Sequence, residues 1–327
     1  MSALPKIAEF SGQSIFVDRT DRGRLWLTGP DRAKFLNNVC TQDVLSMSLG
    51  KGKEAFITSL QGKTLAYVLV HALPDALVVR TDADVLPVIM PHLQKYGIFD
   101  EVVLEDRSAS SREWHLAGSQ AVEILNSIGI HPVADMESVR VPVASGEQVL
   151  LIPEAPFGIP GWTVIGTPGT GESWAQQLDQ ACQTASTPVV TLEVLEGFRI
   201  LTGIPRNGQD VTPANLPQEL DRNDQSISFK KGCYLGQETV ARLDALGHVN
   251  KILRILTVDG SDLPTLGVTV RAGEKEAGTV SSVGQLPGGR VVALAMLKVN
   301  LAPVGAEVEI LGGDRSYHAQ VHPITGG

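Results

Sequence analysis

Cysteine is scarce. The 327 residues contain three, Cys40, Cys182 and Cys233, and no two form a CxxC pair. An odd and widely dispersed set excludes a disulfide framework. Three separated thiols also fall short of the four thiolates that usually hold an iron–sulfur cluster, so any dealing with a cluster needs a partner or another ligand. Long apolar runs are missing too: none approaches the roughly 20 residues that span a bilayer. The opening MSALPKIAEFSGQSIF has no basic segment followed by an apolar stretch, so neither export nor a membrane partner is expected. The expected compartment is the cytoplasm, or a mitochondrial or other organellar matrix if a targeting peptide has been removed. Basic charge is in deficit, with 27 Lys and Arg against 36 Asp and Glu. The net charge of −9 argues against nucleic acid as a partner, while leaving room for a local basic pocket.

What is present describes an ordinary folded chain of two or three domains, 43% hydrophobic and 19% charged. RGRLWLTG (22–29) reads as a strand, and PDRAKFLNNV (30–39) as a helix with proline in its first turn. KEAFITSL, GKTLAYVLVHAL and DALVVRTD follow as strands, then ADVLPVIMPHLQKYGIF as a helix stopping near Gly97. EDRSASSREW (105–114) is polar and small-residue rich, a seam between subdomains. Beyond it, HLAG, VRVPVA, VLLIPE and WTVIGT alternate with helical QAVEILNSI and ESWAQQLDQACQTA, a second small α+β unit. TLEVLEGFRILTGIP (191–205) spaces Leu192, Leu195, Phe198 and Ile200–Leu201 as a helix ending at Gly203 and Pro205. From about Lys251 the texture becomes short β-rich runs punctuated by Gly, Pro and Asp, a small barrel or sandwich of about six strands. The expected class is α+β, with a first domain over 1–105 completed by part of 190–245, a second over 106–190, a linking segment over 191–245, and a β-barrel over 246–327.

Three constellations invite a chemical reading. The run 166-GTPGTGES-173 has the glycine spacing of a phosphate loop, but Glu172 stands where the lysine belongs and would repel phosphate, leaving a strand-to-helix turn. His318 and His322 are four apart in a segment that reads as a strand, which separates them by about 13 Å and denies them a shared metal. The third is 230-KKGCYLGQETVAR-242. A buried small thiol in a turn is one reading of it. The other is a reactive cysteine: Gly232 and Gly236 let the backbone turn tightly, Lys230 and Lys231 favour thiolate over thiol, and GQETVAR starts a helix whose N-terminus would lower the pKa of Cys233 further. Arg242 would pair with Glu238 four residues earlier. Such a thiol serves covalent chemistry, thiol exchange or one bond to a metal cluster.

The run Lys231-Gly232-Cys233-Tyr234, with Gly236-Gln237-Glu238 and Arg242, resembles the signature of the folate-binding YgfZ-type proteins. These are iron–sulfur cluster assembly and repair factors, related in fold to the aminomethyltransferase (T-protein) of the glycine cleavage system. The likeness extends through Phe198-Arg199-Ile200, Gly203-Ile204-Pro205, Gly208, Asp210, Leu216-Pro217-Gln218-Glu219 and Ile227-Ser228-Phe229, and through LTGPDRAKFLNN…TQDV near the start. It implies three domains around a central channel, with tetrahydrofolate in that channel beside the cysteine turn. It further implies iron–sulfur client or assembly proteins as partners, and Cys233 as the functional hallmark with Lys231 activating it. Tyr234, Gln237, Glu238, Arg242, Glu219 and Arg199 are the implied folate contacts. The alternative the resemblance leaves is a folate-dependent aminomethyl or one-carbon transferase. Two departures count against that: T-proteins place a pterin-gripping glutamate where this chain has Leu201, and an early acid where it has Gly62-Lys63-Thr64-Leu65-Ala66-Tyr67.

Overall fold

The computed structural model describes residues 4–10, 12, 14–132, 136–143, 146, 148–166, 173–185, 192–312 and 315–324. Most of the glycine-rich turn after residue 166 lies outside the described residues. Two antiparallel five-stranded sheets and a closed barrel carry the chain. The first sheet has the order β3-β4-β5-β2-β6, from β2 (Arg22–Thr28), β3 (Gly52–Thr58), β4 (Thr64–Ala72), β5 (Leu77–Asp82) and β6 (Val103–Asp106). The second has the order β1-β7-β10-β9-β8, from β1 (Ile15–Asp18), β7 (Glu113–Ala117), β8 (Val139–Pro142), β9 (Gln148–Glu154) and β10 (Gly161–Gly166).

Side-chain alternation explains how the sheets are covered. In β2, Leu25 and Leu27 join the core under α1 (Arg32–Val39) and α2 (Leu86–Tyr96), while Trp26 between them points the other way. In the second sheet, Trp114, Leu116, Val149, Leu151 and Val164 face α3 (Ala121–Ser127) and α4 (Ser173–Thr184). The opposite faces meet: Trp26 and Val78 pack with Leu150, Ile152 and Ile165. Each sheet is therefore covered on both faces, which is why its strands read as nearly unbroken apolar runs.

One boundary moves. β1 lies within the expected first domain, yet it pairs with β7 in the second sheet, Ile15 opposite Ala117 and Asp18 opposite Trp114. The reason is edge satisfaction: β7 would otherwise expose one row of backbone groups on that side. The polar seam does connect the two sheets, running from β6 to β7.

The connecting segment contains α5 (Leu192–Leu201), a 3-10 turn at Pro217–Leu220, α6 (Asn223–Ser226) and α7 (Gln237–Leu246). The barrel closes in the order β11-β14-β13-β12-β15-β16, from β11 (Lys251–Val258), β12 (Thr269–Ala272), β13 (Lys275–Gln285), β14 (Val291–Lys298), β15 (Glu307–Gly312) and β16 (Arg315–His322). Its six strands match the number expected, and His318 and His322 stand on β16 as a strand demands. A central core joins all parts: Phe198 and Leu201 of α5 pack with Phe56, Tyr67, Leu253 and Leu294. Among the described residues no helix is long and apolar enough to cross a membrane.

Candidate functional site: an exposed thiol turn and a closed central channel

The turn 230–236 is held from three directions. Leu235 donates its N–H to Asn38 O at 2.8 Å, and the Thr58 hydroxyl donates to Leu235 O at 2.7 Å. Gln237 accepts from Tyr234 N–H at 3.1 Å, closing the turn on itself. Gly236 caps α7 with φ 81°, and a Cβ there would stand 2.4 Å from Ser59 O. Only glycine fits both the conformation and the contact. The glycine opposite, Gly62, is equally tight: its Cβ would meet Thr239 at 2.7 Å. The turn is thus clamped to the β3–β4 hairpin and to the end of α1.

From that clamp Cys233 points outward, an exposed free thiol, whereas Cys40 and Cys182 are buried. Burial pushes the Cys40 thiol up and takes Cys182 to about 12, with Asp179 adding to the latter. The reading of Cys233 as a packing residue therefore fails.

Lys231 acts differently from expectation. Its ammonium donates to Asn37 O at 2.6 Å, Gln42 O at 2.8 Å and Cys40 O at 2.9 Å, and sits 4.9 Å from the Tyr234 ring centroid. All three hydrogens are directed at carbonyls of the last turn of α1 and the loop that follows it, where helical partners run out. Lys231 is a staple for the turn, and its burial lowers its pKa. Arg242 lies in the middle of α7, not near its end, because the helix continues to Leu246. It and Glu238 are both exposed, and among the described residues no ion pair joins them.

The other residues expected at the site lie elsewhere. Arg199 is 7% exposed and fully engaged, with Asp210 at 3.0 Å, Ser282 at 2.7 Å, and Glu196 and Ile204 O besides, tying α5 to the barrel. Burial opposes its charge, but Asp210 and Glu196 outweigh that and raise its pKa. Glu219 accepts Leu216 N–H at 3.0 Å and Asn215 Nδ2 at 3.3 Å, capping its own 3-10 turn, with Lys251 at 3.5 Å. Leu201 is 2% exposed in the central core.

The expected channel lies between the two sheets, but most of its lining residues were not among those expected. One cavity of about 280 Å³ is lined by Gly52, Glu54, His71 and Glu154, and a second of about 40 Å³ by Tyr67, Arg80, His115 and Arg199; Leu69 borders both. A buried polar network separates them. Arg80 bonds both Glu154 oxygens at 2.9 Å and Glu113 at 2.5 Å, while Arg24 stands 3.6 Å from Glu113. Thr163 donates to Glu154 and lies 2.9 Å from His115 Nδ1. Burial would raise Glu154, but Arg80 overcomes it and holds the carboxyl well below its usual range. Burial pushes His71 and His115 down to about 4. Arg80 can only donate, so His71 Nε2, 3.4 Å away, faces it as the acceptor and Nδ1 carries the hydrogen. A clue was present in the sequence: Arg80, Glu113, His115 and Glu154 interrupt apolar strand runs, a pattern strands tolerate only when the polar groups find one another.

Arg19, Arg22 and Arg206 also line the smaller cavity, each paired with a carboxylate, Asp21, Asp82 and Glu196 respectively. Of the expected folate contacts, only Arg199 lines either cavity; Tyr234, Gln237, Glu238, Arg242 and Glu219 do not. The site expected as one place is two.

No family model matches the chain. Among curated proteins, the tRNA-modifying protein YgfZ of Yersinia pestis (strain Pestoides F) is 28% identical over 92% of this chain and 89% of its own length. That of Cronobacter sakazakii is 27% identical over 84% of this chain and 82% of its own length. An aminomethyltransferase of Streptomyces avermitilis is 25% identical over 94% of this chain and 85% of its own length. In structure, the glycine cleavage system aminomethyltransferase T from Bartonella henselae superposes with a TM-score of 0.82 at 16% identity, covering 98% of this chain and 88% of that one. Over most of its length the chain is similar to the YgfZ-type proteins. Its fold is that of the T-protein, as the near-complete superposition shows. The KGCYLGQE turn is the part of the molecule where the motif and an exposed thiol coincide.

Proposed function

We propose that this YgfZ-type chain is an accessory factor in the assembly or repair of [4Fe-4S] proteins, presenting Cys233 to an iron–sulfur client or assembly protein. One observation carries the reading: the signature cysteine is the exposed one of three, on a turn fastened to the first domain through Lys231 and Leu235. A cysteine on a pinned turn can ligate iron or exchange with a partner's disulfide at little ordering cost. A lone cysteine cannot hold a cluster, so the remaining ligands come from the partner.

The family relation suggests a reduced folate for the channel, and the residues fit it in part. The guanidiniums of Arg19, Arg22 and Arg206 have the geometry for the carboxylates of a folate tail, which would have to compete with Asp21, Asp82 and Glu196 for them. The pterin end fits poorly: Leu201 is buried where a T-protein has its glutamate, and the Arg80–Glu113–Glu154 network fills the space between the cavities. Pterin N–H donors left unpaired there would cost about 1–3 kcal/mol each. Reduced folates carry one-carbon units, but Glu54, Glu154 and Asp82 along the cavities are held in ion pairs with Arg222, Arg80 and Arg22, and aminomethyl transfer is accordingly not assigned.

The test is in cells lacking the gene. Cys233→Ser is expected to abolish support of [4Fe-4S] enzymes while the purified variant keeps the wild-type circular dichroism spectrum and melting temperature. Complementation equal to wild type would remove the thiol from the mechanism.

A further inference from the structure

One edge of the first sheet is covered and the other is open. Along β3, Cys40 bridges Ile57, and Thr41 donates its N–H to Phe56 O at 2.9 Å. At the opposite edge β6 pairs with β2, Thr28 opposite Val103 and Leu25 opposite Asp106. Among the described residues no other backbone group bonds to Val103–Asp106, so the outer rim of β6 presents unpaired N–H and C=O groups. Apolar side chains gather where this edge begins: Phe99 is 96% exposed, Ile98 73% and Val103 60%. The loop before β6 is held on the start of α1, by Lys34 on Asp100 at 3.2 Å and by the Glu101 N–H on Asp31 at 2.9 Å. An exposed apolar patch on a fastened loop, beside an open strand, marks an interaction surface.

Charge decides the occupant. Residues 98–108 read IFDEVVLEDRS, four acids against one base. Lys34 is taken by Asp31 and Asp100, and Arg107 by Glu105 at 2.8 Å. Glu101 and Asp106 are exposed, and among the described residues no salt bridge engages either. A second copy is disfavoured, because pairing β6 with itself would bring Glu105 and Asp106 of both chains into one short ladder. Guarding the edge against such pairing is one use of these acids. A guard alone has no need of a phenylalanine laid open beside it.

We infer that β6 takes up an extended segment of a partner protein as a sixth strand of the first sheet. The segment carries apolar side chains for Ile98, Phe99 and Val103, and lysine or arginine for Glu101, Glu105 and Asp106. Backbone hydrogen bonds along the open rim hold it, and the side chains select its sequence. Three strands separate β6 from β3, to whose hairpin the thiol turn is clamped. The added strand therefore leaves Cys233 reachable, and its failure would leave the role of Cys233 untouched.

Calorimetric titration and amide NMR of the full chain with the end-blocked peptide VKVKVKV test this, with VEVEVEV and VKVPVKV as controls. The first is expected to bind, shifting the amides of Val103 to Arg107 and slowing their exchange. The acidic peptide and the proline peptide, which cannot complete the ladder, are expected not to bind. Phe99→Ser, a change at an exposed position, is expected to weaken binding about tenfold through lost apolar burial. Glu101→Gln combined with Glu105→Gln is expected to weaken it about fivefold and to flatten its dependence on salt. Concentration-dependent dimers that Phe99→Ser abolishes would overturn the inference in favour of a second copy. No binding by VKVKVKV, equal binding by either control, shifts confined to residues away from β6, or affinities unchanged in the variants would overturn it outright.

Discussion

Acidification acts on the inter-sheet network through two imidazoles. His71 and His115 are 5% and 1% exposed, and burial takes both from 6.5 to about 4. Their surroundings do not rescue the charged forms: His71 faces Arg80, and His115 is bonded to Thr163, with Arg80 and Arg19 adding repulsion against the attraction of Glu154 and Glu113. An unfolded chain takes up these protons near pH 6.5 and the folded one only near 4. Stability is therefore complete above 6.5 and falls as the pH drops through that interval. Between pH 7 and 4.5, an imidazole shifted this far accounts for roughly 2 kcal/mol, and two acting independently for roughly 4 kcal/mol. Glu113 and Glu154, lowered by Arg80, add a smaller loss near the acid end of the interval, and because both proteins retain them it cancels in the comparison. Urea denaturation midpoints measured from pH 7 to 4.5 read the effect. The double variant His71→Gln, His115→Gln is expected to start less stable yet to lose about 4 kcal/mol less than wild type over that range. Equal losses in the two proteins would refute the reasoning.

The thiol turn yields two more expectations. Lys231→Met should cost about 2–4 kcal/mol by leaving three carbonyls without their shared donor, and speed amide exchange at the end of α1. A melting temperature and exchange rates equal to wild type would show that the ammonium does not hold the turn. Gly236→Ala should destabilise by about 1–3 kcal/mol, because the new methyl meets Ser59 O in a left-handed backbone. A melting temperature equal to wild type would show that the hairpin contact yields more easily than the geometry implies.

The elements were largely written in local pattern. Period-two alternation over 251–322 was enough for a six-stranded barrel, Gly97 marked the stop of α2, and the glycines around Cys233 marked a tight turn before a helix. These features depend on residues within a turn or two of one another, and a linear reading contains them. Partnership across the chain does not have that property. Nothing near residues 15–18 says that β1 pairs with a strand a hundred residues on, and nothing beside Lys231 names the carbonyls of Asn37, Cys40 and Gln42. In strands buried on both faces, alternation no longer distinguishes the side that meets helices from the side that meets the other sheet. Arg80, Glu113 and Glu154 were visible as intruders in apolar runs, but their neutralisation of one another, and the closing of the channel that results, arose when two sheets from separate segments came face to face.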